Sequence, residues 1–139
     1  MQEALQEDKL INKLKEKGYE PGLYVFGMKE ATVSIGTAAL FGVFAGIQPK
    51  PFVLNFTDKG IAFLELNSMC SQYTDLHTYI PIDQIKEITL KKGLWIYTLT
   101  ILTANSGKQK IKISGTVIGA KWQKNHVLKL VEFLGNFGK

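Results

Sequence analysis

The 139-residue chain contains one cysteine, two histidines and no arginine. A single cysteine cannot form an intramolecular disulfide, which excludes the disulfide-rich class of small secreted domains. Residues 1–8 are acidic, whereas a secretory signal begins with basic residues and continues with an apolar run. A reducing, cytoplasmic location is therefore the expectation.

The shortage of cysteine and histidine also limits the chemistry that the chain could perform. Cys70, Asp75 and His77 lie close in sequence, and a thiolate activated by the imidazole would be their route to catalysis. No family motif surrounds Cys70, and neither of the glycine-rich nucleotide-binding motifs occurs. We therefore predict a non-enzymatic protein with no cofactor and no metal. An enzyme centred on Cys70 and His77 is the alternative hypothesis.

All 17 basic residues are lysines, and they are unevenly distributed. Residues 1–85 carry a net charge of −3, and residues 86–139 carry +8. Lysine binds anions as a hydrated point charge, whereas bidentate recognition of phosphates and guanine edges needs arginine. The basic half is thus expected to bind anions diffusely, as a membrane surface would require. Nucleic acid is disfavoured, because Trp95, Tyr97 and Phe63 lie in apolar runs and are predicted to be buried.

The strongest candidate site is a stripe of alternating lysines in residues 108–114. Alternate residues of a strand share a face, so these side chains are expected to form one positive surface with four other lysines. The other hypothesis is that they are a solvated face that keeps the strand from pairing with other chains. The candidate anion- or lipid-binding residues are Lys91, Lys92, Lys108, Lys110, Lys112, Lys121 and Lys124.

Hydropathy patterns predict an α+β domain. Apolar and β-branched runs separated by turn residues predict seven antiparallel strands, and the last segment has apolar residues at helical spacing. The predicted strands are residues 23–28, 52–57, 61–66, 76–80, 82–90, 94–103 and 108–114. The predicted C-terminal helix is residues 121–136.

A polar N-terminal helix is predicted for residues 2–17. Its apolar stripe of Leu10, Ile11 and Leu14 is narrow, so the helix must dock on the rest of the domain or pair with a copy of itself. We divide the chain into an N-terminal helical extension, residues 1–20, and a domain of residues 21–139.

Residues 31–47 contain no charge and three glycines. Seventeen residues are at the short limit for a membrane-spanning helix. Three hypotheses remain open for this segment: buried packing in the core, a contact between copies in an oligomer, or insertion into a membrane.

Two stretches resemble a bacterial pleckstrin-homology-like domain family. Residues 52–63 (FVLNFTDKGIAF) are similar to its strand, threonine, turn and strand hairpin, and residues 80–88 (IPIDQIKEI) are similar to a later strand start. The resemblance covers residues 51–134. It implies an antiparallel β-barrel or curved sheet closed by a C-terminal helix.

The chain also departs from this family. Gly60 occupies a position where many relatives have a basic residue. The lysine cluster with which eukaryotic relatives bind phosphoinositides is missing from the first hairpin loop, where Lys29 is the nearest lysine. The resemblance therefore implies a binding or assembly role without inositol-phosphate recognition. We predict a binding module that assembles with itself or with another protein; peripheral binding to anionic membrane lipids through the lysines is the alternative.

Overall fold

The structure is a computed structural model that describes residues 3–29, 50–67, 69–104, 107–117 and 120–135. A 3-10 turn, Glu3–Leu5, precedes helix α1, Glu7–Glu16, and helix α2, Gln123–Gly135, follows the last strand. The described part contains seven strands: β1 (Leu23–Lys29), β2 (Lys50–Thr57), β3 (Gly60–Leu66), β4 (Tyr73–Pro81), β5 (Ile85–Lys92), β6 (Ile96–Thr103) and β7 (Gly107–Ser114).

The seven strands form one antiparallel sheet in the order β4-β3-β2-β1-β7-β6-β5. The two edge strands, β4 and β5, are joined by a 3-10 turn of three residues, Ile82–Gln84. Three residues span at most about 10 Å, so the two edges approach each other at this corner. The sheet is therefore curved, and it is not closed into a barrel within the described residues. The predicted α+β class, with a curved sheet, a C-terminal helix and an N-terminal helix, is confirmed.

The concave side of the sheet holds the inner core. Its residues come from alternate positions of the strands, as the period of a β-strand requires, together with the apolar side of α2. The fully buried members include Leu99, Ile101, Ile111, Ile113 and Leu130. Helix α2 thus covers the open side of the curved sheet, as the sequence predicts.

The convex side of the first four strands is covered by the N-terminal segment, which forms an outer core. Leu10 and Leu14 of α1 are fully buried against Val53 and Leu64, which point away from the inner core. Cover on both sides explains why every residue of β3 is buried. The apolar stripe of α1 therefore docks on its own sheet. The division into residues 1–20 and 21–139 stays a prediction.

A buried glutamine bridges the sheet where β1 and β7 separate. The two strands pair only at Met28 and Lys29. Beyond that point, Nε2 of Gln123 donates to the carbonyl oxygens of Phe26 and Ser114, at 2.9 and 3.0 Å, and its Oε1 accepts the Phe26 N–H at 2.9 Å. The side-chain amide therefore replaces a backbone peptide group in the ladder.

Several predicted boundaries were wrong. The predicted strands 82–90 and 94–103 leave a turn at residues 91–93, but β5 continues through Lys92 and β6 begins only at Ile96, so the turn lies later. Strand β4 begins at Tyr73, three residues before the predicted start at residue 76. The predicted helix over residues 2–17 is a 3-10 turn followed by α1. Residues 31–47 lie outside the described residues. Among the residues that the structure describes, every helix is too short or too polar to span a lipid bilayer.

Candidate functional site

Four of the seven candidate lysines lie on the convex side of β5, β6 and β7. The strand register places Thr98 of β6 between Lys112 of β7 and Lys91 of β5. The next two outward positions along β7 are Lys110 and Lys108. All four side chains are exposed, and Nζ of Lys112 donates to Oγ1 of Thr98 at 3.1 Å. We name this surface the lysine face; its residues are Lys91, Lys108, Lys110 and Lys112.

The other three lysines do not join the lysine face. Lys92 is the next residue after Lys91 in β5, and it lies opposite Tyr97 of β6. Tyr97 in turn lies opposite Ile113, whose side chain is in the inner core. Lys92 therefore points to the opposite side of the sheet from Lys91. Lys121, in the turn before α2, and Lys124, in the first turn of α2, are exposed beside a helix that packs on that opposite side. The expectation of one positive surface from all seven residues was wrong, because side chains alternate along a strand and because α2 lies on the other side of the sheet from the lysine face.

A groove runs between edge strand β5 and helix α2. It has a volume of about 530 Å³, and its walls are mainly apolar. Leu128 and Val131 of α2 face it with 55% and 42% of their surface exposed. We name it the β5–α2 groove; its lining residues are Ile88, Thr89, Leu90, Lys92, Tyr97, Leu128, Val131 and Leu134.

The sequence did not reveal this groove. Val127, Leu130, Val131 and Leu134 recur at helical spacing in the sequence, which predicts that all four belong to one apolar stripe of the helix. In the structure Val127 and Leu130 are buried, whereas Val131 is exposed and Leu134 is half-buried. The available signal was the width of the apolar surface: with Leu128 and Phe133 it covers more of α2 than one packing face needs.

The turn between β5 and β6 exposes two large apolar side chains. Leu94 and Trp95 are 87% and 79% exposed. The prediction that Trp95 is buried was therefore wrong, because the turn lies two residues later than the pattern of apolar residues indicated. Tyr97 and Phe63 are half-buried and buried respectively, which agrees with the apolar runs in which they lie.

The residues of the alternative enzyme hypothesis do not converge. Cys70 is buried in the outer core, and burial raises the pKa of its thiol. Nδ1 of His77 is hydrogen-bonded to the hydroxyl of Tyr19 at 2.7 Å. Asp75 is exposed and faces Lys17 at 3.9 Å. A buried thiol without an adjacent imidazole lacks the activation that a cysteine nucleophile needs.

We expect Cys70 to react slowly with a thiol-alkylating reagent at neutral pH. Burial shields the sulfur and keeps it protonated, so its rate should fall roughly tenfold or more below that of an unstructured cysteine peptide. Kinetics with iodoacetamide, measured with and without urea, would check this, since unfolding should restore the ordinary rate. A native rate equal to that of the peptide would contradict the burial and return Cys70 to consideration as a nucleophile.

No family model and no curated protein matches the chain. Among solved structures, the chain is similar to the pleckstrin homology domain of USP37 at 12% sequence identity and a TM-score of 0.43. That match covers 82% of this chain and 94% of the USP37 domain. The fold is therefore defined by the strand order, the register and the position of α2.

Proposed function

We propose that this protein is a non-enzymatic binding module that holds an extended segment of a protein partner in the β5–α2 groove. The observation that carries the proposal is the combination of an edge strand with an exposed apolar helix surface beside it. The resemblance of residues 51–134 to a pleckstrin-homology-like family supports the same broad role.

Strand β5 offers a backbone template. It pairs with β6 on one side, and on its other side the described part of the chain supplies no strand. An extended peptide can add to such an edge through main-chain hydrogen bonds, while pockets for alternate side chains give selectivity. Ile88, Leu90 and Lys92 are the alternate residues of β5 that line the groove. An added strand would place its own alternate side chains against Leu128 and Val131.

The charges around the groove define the partner segment further. Lys92 lines the groove, and Lys124 lies one turn before Leu128 on the same side of α2. Complementary charge favours the encounter and fixes the register of a bound segment. The partner segment is therefore apolar at alternate positions and acidic at its flanks. Exposed lysines on an edge strand also oppose pairing with arbitrary strands of other proteins. A segment with acidic flanks is therefore favoured over other strands in the β5–α2 groove.

Replacing Val131 with aspartate should weaken this binding by roughly tenfold or more, because a charge would meet the apolar side chains of the bound segment. Val131 is exposed, so the melting temperature should change little. Peptides selected from a displayed random library against the whole protein, and measured by fluorescence anisotropy, provide the probe. Asn125→Asp places the same charge at an exposed position of α2 that does not line the groove, and it serves as the control.

The peptide selection also separates the alternatives. Enriched apolar and acidic peptides that bind wild type and Asn125→Asp but lose affinity for Val131→Asp would support the groove. Equal binding to both variants, or no enrichment, would contradict the proposal. Dimerisation in light scattering that Val131→Asp abolishes would identify a second copy of the chain as the occupant instead.

A second candidate function is peripheral binding to anionic membrane lipids, favoured by the lysine face. The register of β5, β6 and β7 brings these lysines together on one side of the sheet. The same side also carries the acidic side chain of Glu87, which lies opposite Leu102. Each lysine near an anionic leaflet contributes about 1 kcal/mol. Co-sedimentation with anionic vesicles that is lost at high salt would support this function, and its absence at low salt would contradict it.

A further inference from the structure

The β5–β6 hairpin ends in a tip whose residues do not serve the fold. Leu94 and Trp95 occupy the centre of a turn closed by the Gly93 N–H, which donates to the Ile96 carbonyl at 3.0 Å. Glycine, asparagine and aspartate dominate such turns, because they adopt the required backbone conformations readily. Neither Leu94 nor Trp95 is among the residues of the inner or the outer core. We name this pair the hairpin tip.

The hairpin tip is also narrow. A Cβ atom at Gly93 would lie 2.5 Å from the Ile96 carbonyl oxygen, so the two strands close tightly behind the tip. Stable protein interfaces bury roughly 1,200–2,000 Å² in total, far more than two side chains can supply. A lipid bilayer makes no such demand, since it can surround a single protruding tryptophan, a residue enriched at the boundary between membrane and water.

Positive charge lies directly behind the hairpin tip. Lys91 and Lys92 precede it in sequence, and Lys112 lies in the row of Lys91 and Thr98, one outward row behind that of Ile96 and Ser114. At about 3.3 Å per residue, this row is roughly 10 Å behind Trp95. Apolar side chains of interfacial segments reach about 5–10 Å into the boundary between headgroups and acyl chains. Inserted side chains would therefore leave these three lysines at the level of the lipid phosphates.

We propose that the hairpin tip inserts Leu94 and Trp95 into the interface of an anionic bilayer while Lys91, Lys92 and Lys112 contact the headgroup phosphates. The proposal rests on the second candidate function and specifies its geometry. The sheet then meets the membrane end-on. Lys108 and Lys110 lie two to four residues farther from the tip along β7, so they contribute less than the lysines beside it.

Tryptophan fluorescence tests the insertion directly. The chain has two tryptophans, so in the Trp122→Phe variant Trp95 is the sole reporter. With vesicles of phosphatidylcholine and phosphatidylglycerol, we expect a blue shift of Trp95 and quenching by lipids brominated near the headgroup. Pure phosphatidylcholine vesicles should give neither. If Trp122→Phe does not fold, the difference between wild type and Trp95→Phe gives the same signal.

Variants then identify the residues that hold the membrane. Replacing Leu94 and Trp95 together with serine should lower the vesicle partition coefficient by about tenfold or more, with an unchanged melting temperature because both residues are exposed. Two double variants remove equal charge at different distances from the hairpin tip. One combines Lys91→Gln with Lys92→Gln beside the tip, and the other combines Lys108→Gln with Lys110→Gln farther away. The pair beside the hairpin tip should lose roughly tenfold in binding to anionic vesicles, and the distant pair clearly less.

The outcomes separate this geometry from the function on which it rests. No binding to anionic vesicles would remove the second candidate function and the proposal together. Binding with an unshifted Trp95, and with Lys108 and Lys110 as the costlier pair, would leave lipid binding standing and overturn insertion. Equal quenching on neutral vesicles would overturn the role of the lysines. A blue shift that depends on protein concentration without vesicles would assign the tip to a protein contact and overturn the proposal.

Discussion

Replacing Leu14 with alanine should lower the free energy of unfolding by about 3 kcal/mol, a typical loss when a fully buried leucine is replaced by alanine. Leu14 is completely inaccessible in the outer core. Its loss would leave a cavity between α1 and the convex side of β2 and β3, where Val53 and Leu64 depend on the helix for cover. For a chain of this length, the melting temperature should fall by roughly 10 °C.

Urea unfolding followed by circular dichroism measures this change, and Lys15→Ala is the matched control. Lys15 is the next residue of α1 and is exposed, so the control changes the same helix without opening the core. Equal, small effects from Leu14→Ala and Lys15→Ala would show that α1 does not dock on the sheet in solution. A large effect of Leu14→Ala alone would establish that the N-terminal segment contributes to the stability of the whole domain.

Replacing Gln123 with methionine should destabilise the protein by about 3 kcal/mol or more, since an unsatisfied buried polar group costs about 1–3 kcal/mol. Methionine keeps the length of the side chain but removes every hydrogen bond. The N–H and carbonyl of Phe26 and the carbonyl of Ser114 would then lose their partner between the separating strands. Gln84→Met makes the same chemical change at an exposed site and should have little effect.

Gln123→Glu adds a pH-dependent version of this test. A carboxylate can still accept the Phe26 N–H, but it cannot donate to the two carbonyl oxygens that Nε2 reaches. Burial disfavours the ionised form and raises its pKa in the folded state, so the variant should gain stability relative to wild type as the pH falls and the carboxyl group becomes protonated. Thermal unfolding across acidic and neutral pH measures this dependence. A pH-independent deficit would contradict the bridging role of Nε2.

Local patterns were sufficient for most of the secondary structure. The β2–β3 hairpin follows from two apolar runs around residues 58–60, and in the structure the hydroxyl of Thr57 donates to the Gly60 carbonyl and accepts the Lys59 N–H. Alternation predicted the exposed side of β7, because side-chain direction in a strand depends on the backbone alone. Boundaries were less accurate where a run such as residues 94–103 begins inside a turn.

The candidate sites needed contacts between distant parts of the chain. Val131 has the same helical spacing as buried neighbours, and only the position of α2 beside edge strand β5 leaves it facing a groove. Trp95 belongs by composition to a buried strand, but the closure of the turn at Gly93 places it in solvent. Lys92 and Lys91 are identical in type and adjacent, yet they lie on opposite sides of the sheet.

The amino-acid sequence was sufficient to predict the α+β class, the antiparallel strands and the two amphipathic helices, and it shows the concentration of lysine in residues 86–139. These properties follow from the period of apolar residues and from composition, which act over a few residues at a time. The tertiary structure decided that α1 covers the convex side of the sheet, that Gln123 bridges β1 and β7, and which lysines share a surface. These results depend on strand order and register, because they bring together groups that are far apart along the chain, such as the Phe26 backbone and the Gln123 side chain, which are 97 residues apart.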